Sequence, residues 1–130
     1  MRKTTKFVFI ALFSIFWIGC TSDQNDELKI HITNESSSTI DKIRIFTLSG
    51  SSPIDSLTIN GIEATDSIQE TWKDIKLGSA DGTFLIVANI SGKILQKTFG
   101  YYTNGILLDS DMRVVVYSDS LIVSTTAKRL

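Results

Sequence analysis

The chain has 130 residues, of which 42% are apolar and 21% are charged, and its formal net charge is −1. This length suits one small domain and excludes a multidomain enzyme. The apolar content is too high for a disordered chain, and the balanced charge provides no basic excess for binding nucleic acid.

The N-terminal segment has the pattern of a secretory signal peptide. Arg2, Lys3 and Lys6 form a positively charged start without a nearby acidic residue, and an apolar run from Phe7 to Ile18 follows. This run is shorter than the ~20 apolar residues that a membrane-spanning helix needs. It also lacks the polar face of a core helix. We therefore predict that residues 1–19 are a signal peptide.

A cleavage motif ends the apolar run. Trp17-Ile18-Gly19-Cys20 resembles the lipobox of bacterial lipoproteins: Gly19 and Cys20 match it, whereas Trp17 occupies a position where an aliphatic residue is usual. The resemblance implies that the Cys20 sulfur takes a diacylglyceryl group and that cleavage makes Cys20 the new N-terminus. Two or three acyl chains, palmitate among them, would then anchor the protein stably in the lipid bilayer. The expected location is the bacterial cell envelope, at the outer membrane.

Acylation of Cys20 would leave the mature chain without a thiol, because it is the only cysteine. A disulfide framework, a thiolate metal site and a cysteine nucleophile are then excluded. Cleavage would also remove three of the 13 basic residues, which leaves ten against 14 acidic residues and a net charge of −4. This charge disfavours anionic surfaces and nucleic acid.

Residues 20–27 are predicted to be the acylated cysteine and a flexible polar tether. The stretch from Thr21 to Glu27 has three carboxylates and no apolar residue, so it cannot bury surface. It resembles the short acidic signals that send some outer-membrane lipoproteins to the outside surface. A surface-facing and a periplasmic orientation both stay open.

From Leu28 the sequence changes to short apolar stretches with a period of two residues, separated by turn residues. Asn60-Gly61 predicts a tight turn, and Ser91-Gly92 predicts a hairpin. A two-residue loop there would place Phe84 opposite Phe99, whereas a bulged loop would shift the pairing. The predicted strands are 28–33, 40–48, 54–59, 69–77, 83–90, 93–101, 112–117 and 121–126, with a further short segment between Gly105 and Asp109.

Eight or nine short strands at this spacing are typical of an all-β fold. We predict a single antiparallel β-sandwich over residues 28–130, with an Ig-like or a transthyretin-like topology. Apolar residues also occupy both faces of the strand at 83–90, which predicts a central position for it. The predicted core is Leu28, Ile30, Ile32, Ile43, Ile45, Trp72, Phe84, Ile86, Ala88, Val114, Val116 and Val123.

The sequence offers no set of catalytic or metal-binding residues. His31 is the only histidine, and the alternation of its strand places it on the polar face, so we interpret it as a solvated surface residue. Asp109-Ser110-Asp111 could present two carboxylates to Ca²⁺ but lacks the other ligands of a calcium loop, so we interpret it as a solvated turn. We expect no enzyme activity, no cofactor and no metal.

The run from Phe99 to Gly105 is the most distinctive part of the domain. If the strand is extended, Tyr101 and Tyr102 point to opposite faces, so one belongs to the core and the other is exposed. We predict that a ligand or partner contacts the turn around Tyr102 and Asn104, because loops on a rigid sandwich carry recognition. The stretch from Gly82 to Gly105 resembles runs in small, uncharacterised bacterial lipoproteins with a single sandwich domain.

Three Asp-Ser-apolar triplets, with their serines at Ser56, Ser67 and Ser120, resemble the acceptor motif of a periplasmic O-glycosylation system of some Gram-negative bacteria. The resemblance implies glycosylation of these hydroxyls. Turn chemistry, which favours Asp-Ser pairs before strands, is the alternative explanation.

These observations together favour a membrane-anchored, non-catalytic binding or accessory module of the cell envelope. Its expected partners are the lipid bilayer, through acylated Cys20, and an envelope protein or glycan. The alternative is an inhibitor or immunity protein that blocks an envelope toxin or hydrolase. An enzyme is disfavoured because the usual nucleophile, base and metal sets are missing.

Overall fold

The structure, a computed structural model, describes residues 26–129, so the predicted signal peptide and Cys20 lie outside the described residues. Within residues 26–129 the chain forms nine strands and no helix, and hence no helix that is long and apolar enough to span a membrane. The strands are β1 (Leu28–Asn34), β2 (Ile40–Ser49), β3 (Ser52–Ile62), β4 (Ser67–Trp72), β5 (Gly82–Ile90), β6 (Lys93–Thr103), β7 (Ile106–Leu107), β8 (Asp109–Val116) and β9 (Leu121–Ala127).

Two sheets pack face to face, which confirms the predicted all-β sandwich. One sheet has the strand order β4-β1-β8-β9 and is called sheet A; the other has the order β3-β2-β5-β6-β7 and is called sheet B. The predicted central position of β5 is confirmed. Its inward residues are buried and its outward residues are half-buried.

The core between the sheets follows the period-two pattern of the sequence. Eleven of the twelve predicted core residues are buried, and Val123 is half-buried against them. The sequence prediction did not include Tyr102, Leu107 and Met112, which are also fully buried. Their burial depends on which strands face each other and not on local alternation alone.

One strand pair departs from the predicted antiparallel arrangement. β1 and β8 are parallel neighbours, with Lys29 opposite Asp111 and Ile32 opposite Val114. The chain returns from sheet B to sheet A at the end of the sandwich where β1 begins, so β8 runs in the same direction as β1. A period-two pattern indicates which face a residue occupies but carries no information on strand direction.

Among the predicted boundaries that are wrong, two show how tertiary pairing overrides a local signal. Asn60-Gly61 lies inside β3, where Lys42 pairs with Asn60 and Ile40 with Ile62, so the left-handed Gly61 (φ +65°) interrupts the ladder without reversing the chain. β4 ends at Trp72 instead of continuing to Leu77, because residues 73–81 cross from sheet A to sheet B. The Thr47 hydroxyl holds this crossing segment by donating a hydrogen bond to the Lys76 carbonyl oxygen at 2.9 Å.

The Ser91-Gly92 hairpin has a two-residue loop. Both loop residues have positive φ, +50° for Ser91 and +74° for Gly92, as a type I′ turn requires. Ile90 therefore pairs with Lys93, and Phe84 lies opposite Phe99. Of the two registers left open by the sequence, the structure has the unbulged one at this loop.

Loops gather at the two ends of the sandwich. The end at which β1 and β8 begin is called the near end, and it also contains the end of β6 and all of β7. The opposite, far end contains the loop after β1, whose buried Asn34 donates from Nδ2 to the carbonyl oxygens of Ser38, Ile62 and Glu63 at 2.8–3.1 Å. Asn34 Oδ1 accepts hydrogen bonds from the backbone and hydroxyl of Ser36.

Candidate functional site

The last residues of β6 and the whole of β7 form a two-stranded ribbon at the near end, on the edge of sheet B. Tyr102 pairs with Leu107 and Thr103 with Ile106 across this ribbon. The turn between them is Asn104-Gly105, with φ of +48° and +73°, which is again the geometry of a type I′ turn. We call residues Tyr101–Leu108 the β6–β7 ribbon.

The two faces of the β6–β7 ribbon differ sharply in burial. Tyr102 and Leu107 face the core and are fully buried. Tyr101, Ile106 and Leu108 are respectively 45%, 39% and 38% exposed on the outer side. The alternation of a strand explains this division, because residues next to a buried neighbour point the other way. We call Tyr101, Ile106 and Leu108 the apolar trio.

A bulge at Gly100 decides which tyrosine is exposed. Phe84 pairs with Phe99 and Gly82 with Tyr102, so β6 contains one extra residue between the two pairs. Gly100 has a φ of +61°, which a glycine adopts at little cost. Without the bulge, alternation from the inward Phe99 would bury Tyr101 and expose Tyr102. The extra residue reverses this assignment.

Tyr102 is therefore a core residue, and the prediction that it contacts a ligand or partner is wrong. Its ring packs edge-on against Phe84, with 6.0 Å between the ring centroids. Its hydroxyl donates a hydrogen bond to the Leu48 carbonyl oxygen at 2.9 Å and accepts one from the Gly78 backbone N–H at 3.2 Å. The phenol joins three segments of the near end and presents no surface to a partner.

Asp81 fixes the outer side of the ribbon. Its carboxylate accepts a hydrogen bond from the Thr103 hydroxyl, next to Tyr101 and Asn104. The bond from Thr103, followed by that from Tyr101, holds the pKa of Asp81 below its usual value. The same carboxylate raises the pKa of the Tyr101 phenol. The Tyr101 ring is thus exposed, and its hydroxyl lies near the Asp81 carboxylate.

Charged groups of both signs flank the ribbon. Asp109 follows Leu108, and burial raises the pKa of the Asp109 carboxyl. On the neighbouring C-terminal segment, Lys128 donates its backbone N–H to the Leu108 carbonyl oxygen at 2.8 Å, and the exposed Arg129 comes next. Two carboxylates, Asp81 and Asp109, and the segment that contains Lys128 and Arg129 therefore lie beside the ribbon.

The other predicted site residues lie in several places. Asn104 is exposed at the tip of the ribbon, as an accessible contact residue must be. Cys20 lies outside the described residues. Ser56 on β3, Ser67 at the start of β4 and Ser120 before β9 are all exposed and far apart. In the first two triplets the aspartate carboxylate accepts the backbone N–H of the serine at 2.8 Å. The Ser67 hydroxyl donates to the Thr33 hydroxyl at 3.1 Å, and the Ser120 hydroxyl donates to Asp119 at 3.2 Å.

His31 and the Asp109–Asp111 segment both belong to sheet A. His31 lies on the outer face of sheet A, about one-third exposed, with its Nε2 4.0 Å from Asp111 Oδ1. Asp109, Ser110 and Asp111 are the first residues of β8, so their interpretation as a turn is wrong. Within residues 26–129 no group of three or more His, Cys, Asp or Glu side chains could hold a metal ion.

Sequence reasoning located the Tyr101–Gly105 region but missed three of its determinants. Gly100 had a readable signal, because an isolated glycine inside a strand pattern often marks a bulge. The position of Ile106 and Leu108 on the same face as Tyr101 follows from the ribbon register and could not be read locally. Asp81 reaches the ribbon only through the crossing of residues 73–81 between the sheets.

No protein-family model matches the sequence, and no curated protein matches it. A solved structure described as the NMR structure of the protein from Eubacterium rectale is similar to this one, with a TM-score of 0.50 and 17% sequence identity. The similarity covers 83% of this chain and 96% of that chain. At this level of identity, the likeness concerns the fold alone.

Proposed function

We propose that the protein is a lipoprotein of the bacterial outer membrane, anchored through acylated Cys20, and that its sandwich is a non-catalytic binding module. The observation that carries the binding role is the apolar trio on the outer face of the β6–β7 ribbon. Single exposed apolar side chains are ordinary, whereas adjacent large ones point to a surface that contacts something.

The apolar trio is also held in a fixed arrangement. The Gly100 bulge orients Tyr101, the Asp81 carboxylate accepts the Thr103 hydroxyl of the same ribbon, and buried Tyr102 ties the strand to the core. A surface that is ordered before contact loses less conformational entropy on binding. This arrangement supports a contact role for Tyr101, Ile106 and Leu108, with Asn104 at their margin.

The anchor rests on the lipobox-like residues Gly19-Cys20 at the end of the apolar run. The ordered strands begin at Leu28, which leaves seven residues between it and Cys20. Ser56, Ser67 and Ser120 are exposed residues, which supports their modification by a glycosylating enzyme, and we include that modification in the proposal.

The test of this proposal is substitution of Cys20 in the full chain, expressed in a Gram-negative host. Cys20→Ser is expected to move the protein from the membrane fraction to the soluble fraction and to abolish incorporation of a labelled fatty acid. Ser22→Ala, two residues away, is the matched control and is expected to behave like the unsubstituted chain. A Cys20→Ser protein that still partitions with salt-washed membranes would contradict the anchor.

A further inference from the structure

We propose that the apolar trio packs against the lipid bilayer that holds the anchor, so that the domain rests on the membrane through the β6–β7 ribbon. This inference rests on the proposed function, because it requires acylated Cys20. It names the partner of the exposed surface as the membrane interface itself. The loops of the far end would then point away from the bilayer.

The short connection to the anchor restricts how the domain can lie. Asp26 is six residues beyond Cys20, a path of at most about 20 Å even when fully extended. The Asp26 carbonyl oxygen accepts a hydrogen bond from the Ile75 backbone N–H at 3.2 Å, which fixes the start of the domain at the near end. The connection from Cys20 to Asp26 is thus shorter than β6, whose 11 residues extend over roughly 35 Å. The near end is therefore the end held closest to the bilayer.

The ribbon lies beside the point at which the chain enters the domain. Leu108 directly precedes β8, and β8 is the parallel neighbour of β1 with Lys29 opposite Asp111. Leu108 thus lies about one strand spacing (~4.8 Å) to the side of β1. Along the strand direction it lies roughly 7 Å beyond Leu28, towards the outside of the near end. The outer face of sheet B is one further sheet spacing away, about 10 Å. These separations are within the reach of the connection. Because side chains stand roughly perpendicular to a sheet, the trio meets the lipid when the domain inclines the outer face of sheet B towards the bilayer at the near end.

The chemistry of the trio suits the boundary between headgroups and acyl chains. Exposed Tyr101 has an apolar ring and a polar hydroxyl, the character that enriches tyrosine at membrane interfaces. Ile106 and Leu108 flank the buried Leu107 and provide aliphatic surface for shallow insertion. Asp81 bonds to the ribbon, Asp109 follows Leu108, and the segment of Lys128 and Arg129 lies beside it, so the surface has both signs of charge nearby. The contact therefore depends on apolar burial and needs no anionic lipid.

Tethering makes even a weak contact effective. Three partly exposed side chains would hold a free protein on a membrane only poorly. A short connection to an anchored residue turns the contact into an intramolecular event, with an effective concentration on the order of millimolar. The anchor and the trio would together fix the orientation of the domain, which neither would do alone.

A single-cysteine fluorescence experiment tests the inference. Leu108→Cys is introduced into the full chain, where acylation occupies the only native cysteine, and the new thiol is labelled with a polarity-sensitive fluorophore. The lipidated protein is reconstituted in vesicles of phosphatidylcholine alone. Quenching by aqueous iodide is compared with that of the soluble, similarly labelled chain in which Cys20→Ser removes the anchor. Ile94→Cys is the matched control, since Ile94 is 67% exposed on the same sheet at the other end of β6.

At position 108 we expect iodide to quench the lipidated protein about twofold less, or weaker still, than the soluble chain. The emission at this position is expected to shift to the blue, as insertion at the interface requires. Quenching at position 94 is expected to stay unchanged. Ile106→Cys provides a second reporter if the first variant does not fold. Adding phosphatidylglycerol to the vesicles is expected to change neither result.

Three outcomes would overturn the inference, and they differ from one another. Equal quenching at positions 108 and 94 in vesicle-bound protein would leave the anchor intact and show that the ribbon is free for a protein or glycan. If position 108 is protected from iodide only when phosphatidylglycerol is present, the contact depends on attraction to anionic lipid and not on apolar burial. A chain that does not float with the vesicles, and whose Cys20 takes the label, would disprove the anchor itself and the docking with it.

Discussion

The Tyr102 hydroxyl donates a hydrogen bond to the Leu48 carbonyl oxygen at 2.9 Å, across 54 residues of sequence. Leu48 belongs to the end of β2, and the same hydroxyl accepts the Gly78 backbone N–H from the segment that crosses between the sheets. The near end is therefore tied together by one buried phenol. The neighbouring Tyr101, one residue earlier, makes neither of these two hydrogen bonds.

The first prediction separates the two tyrosines. Tyr102→Phe is expected to lower the free energy of unfolding by about 1–3 kcal/mol, because the Leu48 carbonyl and the Gly78 N–H lose a buried partner. Tyr102→Ala is expected to cost about 3–5 kcal/mol, since it also leaves a cavity. Tyr101→Ala, the matched control, is expected to change stability by less than about 0.5 kcal/mol. Urea denaturation measures all three, and equal losses for Tyr101→Ala and Tyr102→Ala would contradict the assignment.

The second prediction concerns the space beside Tyr102. A Cβ atom at Gly82 would overlap the Leu48 carbonyl oxygen and the Tyr102 ring, and Gly82 does not have positive φ. Gly82→Ala is therefore expected to cost about 3 kcal/mol or more through steric overlap alone. Gly61→Ala is the comparison, because Gly61 has open space around it and a φ of +65°. It is expected to cost about 1–2 kcal/mol from backbone strain. A tolerated Gly82→Ala in thermal melting would show that this packing is looser than described.

The third prediction uses the pKa of Tyr101, which the Asp81 carboxylate raises. Because the folded-state pKa is raised, the stabilisation from this contact is complete below the unfolded pKa and is lost as the pH rises through the folded value. In a spectrophotometric titration, Asp81→Asn is expected to shift one tyrosine midpoint down towards 10.0. Tyr101→Phe identifies which midpoint belongs to Tyr101. An unchanged titration in Asp81→Asn would mean that the two side chains are not in contact.

The fourth prediction concerns Asp81, whose pKa shifts in the opposite direction to that of Tyr101, so that stability is lost at acidic pH. Hydrogen bonds from Thr103 and then Tyr101 lower the pKa of Asp81 below its ordinary 3.8. The resulting stabilisation of the turn is present above the unfolded pKa and is lost as the pH falls through the lower folded value. Amide exchange at Thr103 and Asn104, measured by NMR, is expected to lose protection in that range before the core amides do. Simultaneous loss throughout the domain would argue against a local role for Asp81.

The fifth prediction concerns the far end. Asn34 is fully buried, and its side-chain amide supports the carbonyl oxygens of Ser38, Ile62 and Glu63. Asn34→Ala is expected to lower the free energy of unfolding by about 3 kcal/mol, because buried carbonyl oxygens lose their donor. Ser37→Ala, at an exposed position in the same loop, is expected to be nearly neutral. A loss below about 1 kcal/mol for Asn34→Ala in urea denaturation would show that water replaces these bonds.

Much of the fold followed from local sequence. Alternation predicted eleven of the buried core residues, and turn chemistry placed the Ser91-Gly92 hairpin, because side-chain direction and loop geometry depend on adjacent residues. The same local signals failed at Asn60-Gly61. There, continued pairing between β2 and β3 outweighed the intrinsic preference of the dipeptide for a turn.

By itself the sequence determined that this domain is an all-β sandwich and that one tyrosine of the Tyr101-Tyr102 pair faces the core. Only the tertiary structure decided which one, through the extra residue at Gly100 and the pairing of Phe84 with Phe99. It also decided that β8 runs parallel to β1 and that Asp81 meets the ribbon. The physical reason is the distance along the chain over which each effect acts. Alternation and turn preferences depend on a few neighbouring residues. A bulge, a strand direction and a crossing segment are instead selected by the packing of strands distant in the chain.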